Sequence, residues 1–328
     1  MTASSPTTVL VSGAGGFIGG HLVRRLLEQG ASVRAVDQKP IAEWHQSFPD
    51  DSEQIVGDLR LLGDCERALA GGFDEVYNLA ADMGGMGFIE TNKAACMLSV
   101  LISTHMLMAA RQVGVGRFFY SSSACVYAED KQDTPEVAPL AEDDAYPAMA
   151  EDGYGWEKLF SERMCRHYLE DYGVETRVAR YHNVYGPYGA FDGGREKAPA
   201  AICRKVSEAV RSGKHSIEIW GDGKQTRSFM YVDDCLDGTL MIARGPRVEP
   251  INLGSSELVR IDGLVSIVES IAGVELARNY DTEAPQGVRG RNSDNTMIAA
   301  RYGWEPSTPL ASGLRRTYQW IDAELAAR

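Results

Sequence analysis

Tyr154 and Lys158 stand four residues apart in a stretch, Tyr154 to Tyr172, whose pattern reads as a helix, so both side chains project from one face. That pair can do proton chemistry. A phenol ionises near pH 10, at about three units above neutrality, and a neighbouring ammonium favours the phenolate. Tyr154 is then the candidate base and Lys158 the cation that tunes it. A Tyr and a Lys at this spacing are ordinarily a surface pair. What favours chemistry is the company upstream: a glycine-rich turn over Gly13 to Gly19 and the run Ser121-Ser122-Ser123.

The turn Gly13-Ala14-Gly15-Gly16-Phe17-Ile18-Gly19 falls between a predicted strand, Val9 to Val11, and a predicted helix, His21 to Gln29. Glycines there permit a tight turn and let backbone N–H groups approach a pyrophosphate. Gly13, Gly16, Phe17, Ile18 and Gly19 are therefore candidate dinucleotide contacts, although the spacing G-x-x-G-x-x-G differs from G-x-G-x-x-G. Asp37 follows the second predicted strand, Ser32 to Val36. A carboxylate there accepts hydrogen bonds from ribose hydroxyls and repels a 2'-phosphate, which favours NAD over NADP.

Positioning these groups requires parallel βαβ units. Predicted strands at Gln54–Val56, Glu75–Ala80, Arg117–Ser121 and Glu175–Ala179 alternate with helices at Leu62–Ala70, Asn92–Val113 and Tyr154–Tyr172. The expected fold is α/β, a Rossmann-type doubly wound parallel sheet over residues 1–180 with a returning segment at about 226–255. A smaller α/β substrate-binding domain follows from residues 181–225 and 256–328. It includes helices at Ala200–Arg211, from Asp234 and at Leu310–Ala327, and a strand at Ser216–Trp220. The polar stretch Met1 to Thr8 precedes the first strand.

Composition narrows the function. With 44% hydrophobic and 24% charged residues, the 328-residue chain can bury a sizeable core. A net charge of -13 supplies no basic field for nucleic acid, so an anionic substrate needs a locally basic pocket. The cysteines show no C-x-x-C pair and the histidines no cluster at ligand spacing, so neither metal nor disulfide is expected. The first basic residue, Arg24, comes too late for a signal peptide. The apolar run Met97 to Ala110 falls short of the roughly 20 residues of a membrane span, and a soluble cytoplasmic protein is expected.

Taken together, the glycine turn, Ser121-Ser122-Ser123 and Tyr154-x-x-x-Lys158 resemble the extended short-chain dehydrogenase/reductases. Arg180-x-x-Asn183-x-Tyr185-Gly186-Pro187 and Trp220-Gly221-Asp222-Gly223-x-Gln225-x-Arg227 resemble their nucleotide-sugar branch, the NAD-dependent epimerases and dehydratases. Within it the chain is most similar to the GDP-mannose 3,5-epimerases. Asn78-Leu-Ala-Ala-Asp-Met-Gly-Gly-Met-Gly87, Ser122-Ser-Ala-Cys-Val-Tyr127, Gly193-Gly-Arg-Glu-Lys-Ala-Pro-Ala-Ala201 and Gly287-Val-Arg-Gly-Arg-Asn-Ser-Asp294 carry that likeness.

The resemblance implies a cycle. Oxidation of the sugar at C4 by NAD acidifies the protons at C3 and C5. Cys125 and Lys197 then act as an acid/base pair on opposite ring faces, and re-reduction completes an isomerisation without net redox. Ser123 bonds the reacting oxygen. A thiol can reach the partial thiolate character this needs beside positive charge. The resemblance also implies substrate contacts from Gly84, Ser123, Ala124, Cys125, Asn183, Glu196, Lys197, Ala198, Gln225 and Thr226, with Lys205, Arg227 and Arg291 as cations for the pyrophosphate. Asp58 and Leu59 resemble a pair that contacts adenine, while Asp58 reads equally well as a helix cap. A homodimer through the helices Asn92–Val113 and Tyr154–Tyr172 is implied too. Two other readings stay open: an epimerase of another GDP-sugar such as a GDP-heptose, or one stopping at the C5 (gulose) product; and a non-catalytic NAD-binding protein.

Overall fold

A computed structural model describes residues 6–49 and 52–328. Of the polar amino-terminal stretch, Met1 to Ser5 lie outside the described residues. Strands β1 (Thr8–Ser12), β2 (Ser32–Asp37), β3 (Glu53–Val56), β4 (Glu75–Asn78), β5 (Arg117–Ser123) and β6 (Thr176–Tyr181) form a parallel sheet in the order β6-β5-β4-β1-β2-β3. A seventh strand, Ile251–Leu253, joins beside β6. The fold is thus the expected Rossmann-type α/β sheet.

Both faces of the sheet are covered, which is why its strands are apolar without alternation. Val9, Val11, Val33, Tyr77 and Phe119 enter one core with Leu22, Val23 and Leu26 of helix α1 (Phe17–Glu28) and with Leu236 and Leu240 of the helix Val232–Arg244. Leu10, Val36, Val76, Phe118 and Tyr120 point the other way. They meet α2 (Leu62–Leu69), Ile102, Met106 and Leu107 of the helix Ser99–Val113, and Cys165 of the helix Asp152–Tyr172.

Two helices differ from expectation. The first begins at Phe17 rather than His21, because Gly19 and Gly20 are buried helix residues and not a break. A Cβ on Gly19 would lie 2.1 Å from the Gly13 carbonyl oxygen, so glycine is required for the turn to close. The stretch expected as one helix from Asn92 is preceded by a short helix, Met86–Thr91, and runs as Lys93–Met97 followed by Ser99–Val113. As a whole, Lys93–Val113 is long and apolar enough by composition to cross a membrane, and its inner face packs into the sheet's core.

The smaller unit holds an antiparallel and parallel trio, Leu258–Arg260, Thr226–Ser228 and Gly290–Arg291, and the parallel pair Ser216–Trp220 with Ala277–Asp281. The returning segment is expected from about 226; Thr226–Ser228 itself pairs with Leu258–Arg260 and Gly290–Arg291. The chain crosses back at Met230–Tyr231, which pairs with Val184–Tyr185, and continues as Val232–Arg244 against α1.

Candidate active site

The carboxyl ends of β1, β2, β4 and β5 open into a cavity of about 590 Å3, where a doubly wound sheet places its ligand. Gly13, Gly16, Phe17, Ile18, Gly19, Asp37, Asp58, Leu59, Gly84, Ser123, Tyr154, Lys158 and Lys197 line it. These come from every segment in which a cofactor contact was expected. Asp37 Oδ2 accepts from the Gly15 N–H at 3.0 Å and Oδ1 from the Lys39 N–H at 3.0 Å, fixing the carboxylate at the cavity edge. The closed glycine turn, the open pyrophosphate end and this carboxylate fit a dinucleotide of the NAD type. Asp58 holds Arg60 with both oxygens, which keeps its carboxyl below the ordinary range, and its capping reading fails: the helix α2 is capped at Leu61.

Helix Asp152–Tyr172 carries Tyr154 and Lys158 inward against β5. Lys158 is 2% exposed; its Nζ donates to the Ser121 carbonyl at 3.1 Å and lies 5.5 Å from the Tyr154 ring centre. Burial raises the Tyr154 phenol well above its ordinary value. Cys125 and Glu157 add to the rise, and the Ser123 hydroxyl works against it. Without a bound cofactor the phenol is therefore neutral, and positive charge must come from Lys158 and whatever enters the cavity. Glu157, which the sequence reading passed over, lies directly beside: Oε1 accepts from Tyr120 and Ser161 at 3.2 Å each, and Oε2 is 3.7 Å from Lys158 Nζ. Its position at i+3 from Tyr154 was the available signal.

Beyond Tyr154 lies the Cys125 thiol. After β5 the chain turns through a short 3-10 segment, Ala124–Val126, in which the Cys125 N–H donates to Ser123 Oγ at 3.2 Å. Cys125 packs with Cys96 and Tyr154 and is 7% exposed, about as much as Tyr154 itself. Ala124 beside it is buried.

Around this thiol the fold gathers cations. Lys197 precedes the helix Ala198–Ser212, is half-buried, and makes no ion pair among the described residues; burial lowers its ammonium, and Cys125 opposes that. Its segment is held by the opposite loop: Gly85 N–H donates to Arg195 O at 3.0 Å, and a Cβ on Gly85 would lie 2.2 Å from Glu196 O. Among the described residues Arg227 donates only to the Thr226 and Val288 carbonyls, and burial, opposed by Cys125, lowers it to about 10. Such a cation calls for an anion. Lys197 and Arg227 thus place positive charge beside Cys125 in an otherwise acidic protein.

Other expected contacts are partly committed elsewhere. Asn183, at φ 45°, donates to Ser228 O; Gln225 donates to Gln286; Thr226 Oγ1 donates to Pro135 O. Glu196 accepts from Gly194 N–H and pairs with Arg204, and Lys205 is paired with Glu218. Arg291, expected as a pyrophosphate cation, is ion-paired with Glu151, donates to Gln132 Oε1 at 2.7 Å and reaches Cys125 Sγ at 3.6 Å. No signal near Arg291 pointed to Glu151 or Gln132.

Comparison with known proteins agrees with this geometry. The profile of the NAD dependent epimerase/dehydratase family matches residues 9–254. The chain is 46% identical over 323 residues to GDP-mannose 3,5-epimerase 1 of Oryza sativa subsp. japonica, covering 98% of this chain and 83% of that one. It is 45% identical over 318 residues to GDP-mannose 3,5-epimerase of Arabidopsis thaliana, covering 97% and 82%. Among solved structures, UDP-glucuronic acid 4-epimerase from Bacillus cereus, in complex with UDP-glucuronic acid and NAD, superposes with a TM-score of 0.83 at 25% identity, covering 97% of this chain and 99% of that one.

Proposed function

Because the chain belongs to the NAD dependent epimerase/dehydratase family, we propose that it is an isomerase that inverts GDP-mannose at C3 and C5. The product is GDP-L-galactose, with GDP-L-gulose where only C5 inverts. The observation that carries this reading is the convergence of Cys125, Tyr154 and Lys197. They come from three distant segments: Cys125 packs against Tyr154, and among the charged groups around Lys197 it is Cys125 that most offsets the cost of burying the ammonium. An enzyme that only oxidised and reduced C4 needs the tyrosine alone. A thiol and an ammonium beside it are what exchange at neighbouring carbons requires.

The glycine turn, Asp37, Tyr154 and Lys158 hold the cofactor. Bound NAD supplies the hydride acceptor that turns C4 into a ketone and afterwards the donor that restores it. Tyr154 takes the C4 hydroxyl proton, with Lys158 stabilising its phenolate and Ser123 orienting the oxygen. The ketone acidifies C3 and C5. The Cys125 sulfur removes a proton from one ring face and Lys197 Nζ returns one from the other, and the roles exchange at the second carbon. Arg227 binds the pyrophosphate, and the burial of Cys125, Tyr154 and Lys158 limits the access of water to the reactive ketone.

The deciding experiment is incubation with GDP-mannose and chromatographic separation of the GDP-hexoses. Galactose and gulose isomers support the reading; unchanged GDP-mannose alongside a consumed GDP-heptose overturns it. NAD is expected to bind at least about tenfold more tightly than NADP, since a 2'-phosphate would face the Asp37 carboxylate at close range. Asp37→Ser should narrow that gap while retaining NAD, measured by titration of intrinsic fluorescence. Equal affinities in the wild type would remove this role from Asp37.

The chain is further proposed to form a homodimer. Leu98, at the join between Lys93–Met97 and Ser99–Val113, Leu101 on the second of these helices, and Trp156 and Phe160 on the helix Asp152–Tyr172 are large apolar side chains left exposed. Phe160→Glu is expected to convert the dimer to monomer in sedimentation velocity, and a wild-type monomer would sink the proposal.

A further inference from the structure

The Lys158 ammonium is buried, 2% exposed, and among the described residues its one hydrogen bond goes to the Ser121 carbonyl. A charge held that deep is relieved by a counter-charge or by loss of the proton. Glu157, the preceding residue, supplies the counter-charge: its Oε2 lies 3.7 Å from Nζ, and no other carboxylate pairs with Lys158 among the described residues. The other oxygen, Oε1, accepts from the hydroxyls of Tyr120 and Ser161 at 3.2 Å each. Oε2 itself is buried and accepts no hydrogen bond among the described residues. A protonated Oε2 would need an acceptor, and what faces it is a cation, so the geometry fits the carboxylate.

Glu162 on the same helix shows the contrast. Both of its oxygens bond the Arg180 guanidinium and Ser122 donates to one of them, a pair closed on itself. Lys158 instead lines the cofactor cavity, and Glu157 leaves an oxygen for it alone. Glu157 also reaches Tyr154 directly, where its negative charge disfavours the phenolate, but there it ranks behind burial and Cys125. The ion pair acts the other way, since an ammonium fixed beside the phenol favours the phenolate.

We propose that Glu157 is a positioning residue for Lys158: its carboxylate keeps the lysine an ammonium beside Tyr154 and holds it at the Ser121 carbonyl. This deepens the epimerase reading and rests on it, because the step served is removal of the C4 hydroxyl proton by Tyr154. Of the elements packed against the helix Asp152–Tyr172, β5 brings Tyr120 to the carboxylate and the helix Lys93–Met97 brings Cys96 within its field, while Cys125 of Ala124–Val126 flanks Tyr154. Arg180 of β6 is taken up by Glu162, and the helix Ser99–Val113 carries His105 and Arg111, the latter stacked on Tyr172. Lys158 is thus the cation that answers Glu157.

The test is Glu157→Gln, which keeps the side-chain shape and an oxygen for Tyr120 and Ser161 and removes the charge. In the NAD-loaded enzyme, the rate of cofactor reduction on mixing with GDP-mannose is followed by stopped flow from about pH 6 to about pH 10. The alkaline limb is expected to move about one pH unit or more toward acid, because an ammonium without its counter-charge sheds its proton sooner. If Glu157 acted on Tyr154 directly, the acid limb would move toward acid instead and the alkaline limb would stay, which overturns the proposal. So does a uniform loss of rate with both limbs in place. The second readout needs no substrate. In the variant, the folded state gives up a proton that the unfolded lysine keeps, so stability rises with pH and the deficit in melting temperature against the wild type should shrink above neutrality. A pH-independent deficit overturns the proposal. Should Glu157→Gln not fold, Glu157→Gln/Lys158→Met decides: recovery of a cooperative melt shows that the bare cation was the fault, and a double variant that also fails to fold overturns the proposal. If the wild type does not turn over GDP-mannose, the epimerase reading falls, and the melts still decide what Glu157 does for Lys158.

Discussion

Tyr154→Phe is expected to abolish reduction of bound NAD when GDP-mannose is added, lowering the rate of the first step by about a thousandfold or more. The ring keeps its packing beside Cys96 and Cys125, and Lys158 keeps its bond to the Ser121 carbonyl, so the fold and the cofactor site should survive. What disappears is the acceptor for the C4 hydroxyl proton. Ser123 remains close, but its hydroxyl is a far weaker base than a phenolate. The check is stopped-flow absorbance of the reduced nicotinamide, together with a thermal melt that confirms a folded variant. A mutant that reduces its cofactor at the wild-type rate would take the role of base away from Tyr154.

Cys125→Ala should fail at a different point. Tyr154, Lys158 and Ser123 are untouched, so bound cofactor is still expected to become reduced on mixing with GDP-mannose. Epimerisation, and exchange of the C3 and C5 protons in deuterated water, should fall by about a hundredfold or more, because Lys197 is left without its partner. Cys125→Ser is expected to keep a trace, since a hydroxyl has the same reach and is a much weaker acid/base than a thiol. Wild-type enzyme should place deuterium at C3 and C5 and none at C4, whose hydrogen returns from the cofactor. Nuclear magnetic resonance of the products reads all three positions. Deuterium at C4, or normal epimerisation by Cys125→Ala, would refute the division between the redox pair and the proton-transfer pair.

Much of the cofactor half was legible because it is local. The glycine turn is a run of consecutive residues between one strand and one helix, and Tyr154 and Lys158 share a face by helical period alone. Boundaries were less legible where glycine has a second use. Gly19 and Gly20 resemble a break in the sequence but are helix residues, and at Gly19 the Gly13 carbonyl leaves no room for a side chain. The same confusion hid the helix Met86–Thr91 behind Gly84, Gly85 and Gly87.

The sugar half was legible only as residue types. Arg291 could be singled out as a cation, but whether it meets phosphate, carboxylate or sulfur is a question about partners far away in the chain: Glu151, 140 residues distant, Gln132, 159, and Cys125, 166. By itself, then, the sequence determined the alternating βαβ order, the dinucleotide turn and the Tyr–Lys pair, since short-range period and glycine's steric freedom specify these. Only the tertiary structure decided that Cys125 lies among Lys197, Arg227 and Arg291, and that Glu151 pairs with Arg291 while Lys197 and Arg227 meet no carboxylate among the described residues. Charge acts through space, over the few ångströms that packing sets and not along the chain.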